Sequence, residues 1–170
     1  NVVLLSEFRR RYAHELYSTY VKPVIMFKSQ RIDASNEANQ TFNELIDSLT
    51  PQSIQDFLLR QKQAGNERES ETLSMAHEYY RKNDSELDQI IREIKREFAP
   101  SRIINANDSD RGSGMLEKGQ YEALNSLESP ANLYRVIFAV ANLTEGWAVF
   151  TLSALVRTSS TTDTKAEKKK

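Results

Sequence analysis

A chain of 170 residues with a formal net charge of −1 has room for one domain around a single core, since a domain of this length buries roughly 70% of the surface its unfolded chain exposes. The sequence contains no cysteine, which excludes disulfide frameworks, thiolate-held zinc, iron–sulfur clusters and thiol nucleophiles together. A mixed surface with 28% charged residues argues against wholesale nucleic-acid binding, and the scarcity of glycine (5) and proline (4) argues against sandwiches and barrels, so long helices are expected.

The chain opens on Asn1 rather than Met, so processing or a longer parent chain is expected. Asn1-Val-Val-Leu-Leu reads as the first turn of an amphipathic helix, with the end of a membrane span as the alternative. Leu5, Phe8, Tyr12, Leu16 and Tyr20 recur every three or four residues as one apolar stripe, which predicts a first helix, kinked at Pro23 and continuing through Val24-Ile25-Met26-Phe27. A second stripe runs through Ala38, Phe42, Leu45, Ile46 and Leu49, entered past the capping candidates Asp33 and Ser35. Thr50-Pro51 then places a capping residue before proline at a first helical position, and Gly65-Asn66 ends that helix.

Leu73, Ala76 and Tyr80 predict a helix over 67–82, and Leu87, Ile90, Ile91, Ile94 and Phe98 another that stops before Pro100. Residues 101–114 lose their apolar character after Ile104 and predict a mobile loop. A short helix over 115–126 follows, and Ser129-Pro130 opens the last one. Val136 to Val156 has a single ionisable residue, Glu145, so this segment predicts a long apolar helix in the centre of a bundle. The expected architecture is all-α, a bundle of about six helices forming one domain over 1–157, with a polar, Lys-rich disordered tail over 158–170.

Three readings of function compete. The segment 136–156 is long enough to span a bilayer, which makes a membrane-associated module the first alternative. Against it, Asn142, Thr144, Glu145 and Gly146 interrupt its centre, and a carboxylate at mid-membrane costs on the order of 3 kcal/mol. Glu145, buried in either setting, needs a cation or a hydrogen-bond donor and is a buried-charge candidate.

Arg9 and His14 stand in an arginine, four residues, histidine spacing within Arg9-Arg10-Arg11-Tyr12-Ala13-His14. This resembles the short motif of the HEPN-type helical ribonucleases. The resemblance implies a metal-independent ribonuclease, with Arg9 stabilising a phosphate transition state and His14 in acid–base work. It is the second alternative.

No glycine-rich phosphate loop, Gly-x-Ser-x-Gly, His-Glu-x-x-His or zinc-ligand spacing occurs, and the 105–114 region fails the EF-hand pattern in its twelfth position. No cofactor and no metal are expected. The main expectation is therefore a non-enzymatic scaffold or protein–protein interaction module, self-associating or holding a protein partner. Arg10, Arg11, Tyr17 and Trp147 are its interface candidates, because Tyr, Trp and Arg are enriched at interfaces. Nucleic acid is not expected as a partner, and the expected location is cytoplasmic, with membrane association as the alternative.

Overall fold

Between Ile32 and Glu97 the apolar stripes form helices at the spacing that predicts them. The computed structural model describes residues 1–63, 71–106, 118–140 and 152–158. Within them α1 spans Val2–Tyr17, α2 Ile32–Asp47, α3 Pro51–Gln63, α4 Glu71–Lys82, α5 Leu87–Glu97 and α6 Lys118–Asn125. In α5 the apolar face is fully used: Leu87, Ile90, Ile91 and Ile94 are all buried.

The architecture is nevertheless α/β and not an all-α bundle. The first helix does not run on through Pro23. It closes at Ser18, a left-handed residue (φ 50°) whose backbone N–H donates to His14 O at 2.9 Å. Beyond Pro23, Val24–Ser29 forms a strand, β1. Proline removes a backbone donor from any helix interior, and Val-Ile-Met-Phe is rich in residues that suit a pleated, buried surface.

The long apolar helix over 136–156 does not form either: Val136–Val140 is a strand, β3, and Leu152–Thr158 another, β4. A short strand, β2, occupies Ile103–Asn105, inside the segment expected to be a mobile loop. Among the described residues no helix is long and apolar enough to cross a membrane.

The four strands form one parallel sheet in the order β2-β3-β1-β4, with Phe27 opposite Phe138 in the β1/β3 register. Strands in such a sheet are covered on both faces, so they read as continuous apolar runs. Alternate residues serve two cores. Ile25, Val136 and Phe138 face the layer built by α1, α2, α3, α4 and α5, whereas Val24, Met26, Ile137 and Ala139 face Leu124 of α6 and Leu127 beyond it. At the centre of the first core Phe27 stacks on Phe138 (centroids 4.8 Å apart), and the Phe42 ring stands edge-on to both at 5.4 and 5.8 Å.

Candidate functional site

In an open parallel sheet ligands bind outside the carboxyl ends of the strands, where connections from neighbouring strands leave in opposite directions. Here β1 and β3 are neighbours: the connection from β1 leads to β2 on one side, and that from β3 to β4 on the other. The carboxyl end of β1, Lys28-Ser29, is therefore the place to look.

Lys28 lies directly opposite Arg157 in the β1/β4 register, and Ser29 opposite Thr158. Paired residues on adjacent strands project from the same face, so two cations stand side by side at one end of the sheet. Across the same strand ends the Ser29 and Thr158 hydroxyl groups hydrogen-bond to each other. Two residues on, α2 begins, with Arg31 as its extended N-cap residue and no side-chain cap. The Arg31 guanidinium pairs with Asp33 at the rim, Nε to Oδ1 at 3.0 Å. The Ala34 backbone N–H, and after it Arg31, hold the exposed Asp33 carboxyl below its ordinary range. Asn105 at the end of β2 donates to Asn36 Oδ1 at 3.1 Å and ties the first turns of α2 to the far strand. Successive strand residues project from opposite faces, so the Lys28 and Arg157 cations stand on the α6 side of the strand ends and the buried Ser29–Thr158 hydroxyl pair on the side of α1 to α5. The two cations by themselves have the chemistry to hold an anion. On the other side of the strand ends, an apolar groove of about 580 Å³ runs past Phe27 and Thr158 between α1, α2 and the start of α3.

The residues singled out from the sequence lie elsewhere. Arg9 donates from Nη1 to Ser153 O at 2.9 Å, next to the start of β4, while His14 sits exposed in the last turn of α1. Five positions on a helix amount to about 140° of rotation, and the fold does not bring the two together. Arg10 and Arg11 close an ion cluster between α1 and α5. Both donate to Glu7, which is fully buried, and both reach Glu93, at 3.1 and 2.6 Å. The Glu7 carboxylate raises the Arg10 pKa, so this part of the basic run is spent inside the domain. Tyr17 is 72% exposed. Glu145 and Trp147 lie outside the described residues. Among the described residues no three of His, Asp or Glu gather as a metal ion would require.

Sequence reasoning missed the buried ion pair at the opposite end of the strands. Arg135, fully buried just before β3, donates to Glu97 Oε2 at 2.7 Å, to Pro23 O at 3.0 Å and to Ser6 Oγ at 3.2 Å. Nor did it single out Lys28 or Ser29. The available signal was Pro23 followed by a strand-length apolar run that stops at Lys28-Ser29-Gln30.

No known protein family matches the chain, and no solved structure matches it significantly. Among curated proteins it is similar to a probable type III restriction-modification enzyme HindVIP Res subunit of Haemophilus influenzae, 27% identical over an alignment of 165 residues that covers 92% of this chain. The chain spans only about a third (32%) of that relative's length. The likeness is to part of an enzyme, and it overturns the expectation of a non-enzymatic scaffold or interaction module. It equally overturns the expectation that nucleic acid is not a partner, because restriction and modification are operations on nucleic acid.

Proposed function

We propose that the chain is an α/β module of a nucleic-acid-processing enzyme of the type III restriction–modification kind, and that the carboxyl edge of its sheet faces the nucleic-acid backbone. The observation that carries this is the in-register pairing of Lys28 and Arg157 at the strand ends. A phosphodiester that reaches both side chains accepts charge-assisted hydrogen bonds from each. The parallel topology supports the same edge, and the likeness to the restriction subunit supports nucleic acid as the anion. The near-neutral net charge fits a local contact rather than a basic footprint spread over the surface. A cytoplasmic location goes with this reading.

Each phosphate contact adds about 0.7 to 0.9 to the slope of log affinity against log salt concentration. Fluorescence anisotropy with a labelled oligonucleotide over a salt series tests the reading. Lys28→Glu with Arg157→Glu is expected to weaken binding at least tenfold and to reduce the slope by about 1.4 to 1.8. Arg81→Glu, on the exposed face of α4, is expected to leave both unchanged. Equal affinity and slope in the wild type and the double variant would remove the edge from consideration.

A further inference from the structure

We propose that α1 and the segments that start β2 and β3 move as one conformational unit, keyed by a chain of carboxylates and guanidinium groups that the Ser6 hydroxyl joins at its middle. The chain begins on α5 with Glu93, which accepts from Arg10 Nη2 at 3.1 Å and Arg11 Nη2 at 2.6 Å. The same two guanidinium groups turn inward to Glu7, at 3.0 Å from Arg10 Nε and 2.8 Å from Arg11 Nε. Glu7 has no exposed surface, and its neighbour Ser6 accepts from Arg135 Nη2 at 3.2 Å. Arg135 passes the chain to Glu97, and Glu97 accepts in turn from Arg102 Nη1 at 3.4 Å. Arg102 stands one residue before β2, and its backbone carbonyl accepts the Arg135 N–H at 2.9 Å.

Glu93, Arg10, Arg11 and Glu7 on one side of Ser6, and Arg135, Glu97 and Arg102 on the other, therefore link the outer face of α5, the inner face of α1 and two strand starts. The inner members Glu7, Arg135 and Glu97 are buried, in surroundings where charge is weakly screened. Glu7 and Glu97 both act on Arg135, and Glu97 acts as far as Arg10, so the field of each half is felt in the other. The apolar anchors of α1 lie over the same junction. Leu4 and Phe8 are buried in the core, and the buried Tyr80 hydroxyl donates to Leu4 O at 2.7 Å. If α1 leaves its seat, Glu7 keeps Arg10 and Arg11, which ride on the same helix, but these two guanidinium groups lose Glu93 and Arg135 loses the Ser6 hydroxyl. β1 and β3 carry the carboxyl edge at their far ends, so a displacement of α1 reaches that edge along the strands. This coupling stands whether or not nucleic acid binds there.

A double-mutant cycle on the two outer members, Glu93→Gln and Arg102→Gln, tests it by urea unfolding of the whole chain. Both side chains are partly exposed, at 25% and 21%, so the variants fold. Sites that share no network combine multiplicatively within about twofold in the folding equilibrium constant. The expected result is a departure of at least about threefold for this pair, against none for Glu93→Gln combined with Arg81→Gln. A multiplicative result for the Glu93/Arg102 pair overturns the proposal. Hydrogen exchange gives a second reading: Glu97→Gln is expected to speed exchange at Phe8–Tyr12 of α1 and at Ile137–Ala139 of β3 by the same factor. Faster exchange in β3 with α1 unchanged overturns it as well.

Discussion

Arg135 donates from Nη1 to Glu97 Oε2 across 2.7 Å while its guanidinium lies over the Phe98 ring, 4.8 Å from the centroid. No surface of Arg135 is exposed, and its Nε and Nη2 donate to Pro23 O and Ser6 Oγ. Burial lowers the Arg135 pKa, and the Glu97 and Glu7 carboxylates oppose that, so the cation is retained by its partners. Removing one member of such a pair leaves the other charged and uncompensated, at a cost of about 3–5 kcal/mol. Arg135→Ala is expected to lose that much in urea unfolding, and a loss below about 1 kcal/mol would mean that Glu97 finds full compensation in Arg102.

Acid should loosen the clasp between α1 and α5. Burial pushes the Glu93 carboxyl up, but the Gln89 amide and the Arg11 and Arg10 guanidinium groups outweigh it, and the pKa falls below the ordinary 4.5. The folded state then binds fewer protons than the unfolded one around this pH. The stabilisation is complete above the unfolded value and is lost as pH drops through the folded value. Urea midpoints followed from about pH 6 to pH 3 should decline more steeply for the wild type than for Glu93→Gln. Parallel curves would show that Glu93 carries none of the acid sensitivity.

Ser18 ends α1 with φ at 50°, a conformation that costs a residue with a Cβ roughly 1–2 kcal/mol and costs glycine almost nothing. The extra freedom that glycine adds to the unfolded chain offsets part of this. Ser18→Gly is expected to raise Tm by about 2–4 °C, the shift that ~1 kcal/mol produces in a domain of this size. A lowered Tm in a thermal scan would contradict the left-handed closure of α1.

Phe138 packs between strands and helices, stacked on Phe27 and met edge-on by Phe42. A fully buried ring at the centre of a core contributes both its transfer energy and the volume it fills, so Phe138→Ala is expected to cost about 3–5 kcal/mol. Leu155→Ala, on the half-exposed edge strand, should cost less than about 1 kcal/mol. Equal costs at the two positions would argue against β3 as a central strand.

The helices over Ile32–Glu97 were legible because their signal is local. Residues three and four apart share a face, and Leu87, Ile90, Ile91 and Ile94 need no knowledge of the rest of the chain to declare theirs. β1 and β3 carry no such signal: Val24–Phe27 and Val136–Val140 are buried on both faces, and an uninterrupted apolar run serves a buried helix as well as a buried parallel strand. Length and residue type distinguish the two, and the strand-length run after Pro23 was the clue that periodicity alone could not use.

The carboxyl edge was less legible still. Lys28 and Arg157 are far apart along the chain and meet only because β1 and β4 pair in parallel, and Glu97 meets Arg135 only because α5 packs against the start of β3. The Arg9-Arg10-Arg11 run looked available from sequence, but Arg10 and Arg11 are held by Glu93 on another helix and Arg9 by Ser153 O of β4. By itself the sequence determined which stretches are helical between residues 32 and 97, where prolines break the chain, and that thiol chemistry is absent, since these follow from covalent structure and neighbours within a turn. Tertiary structure alone decided which apolar runs became strands, which charges were paired inside and which came to lie opposite one another at the strand ends. Hydrogen-bonded strand pairing and desolvation act between residues that are distant in sequence, and no local pattern encodes the partner.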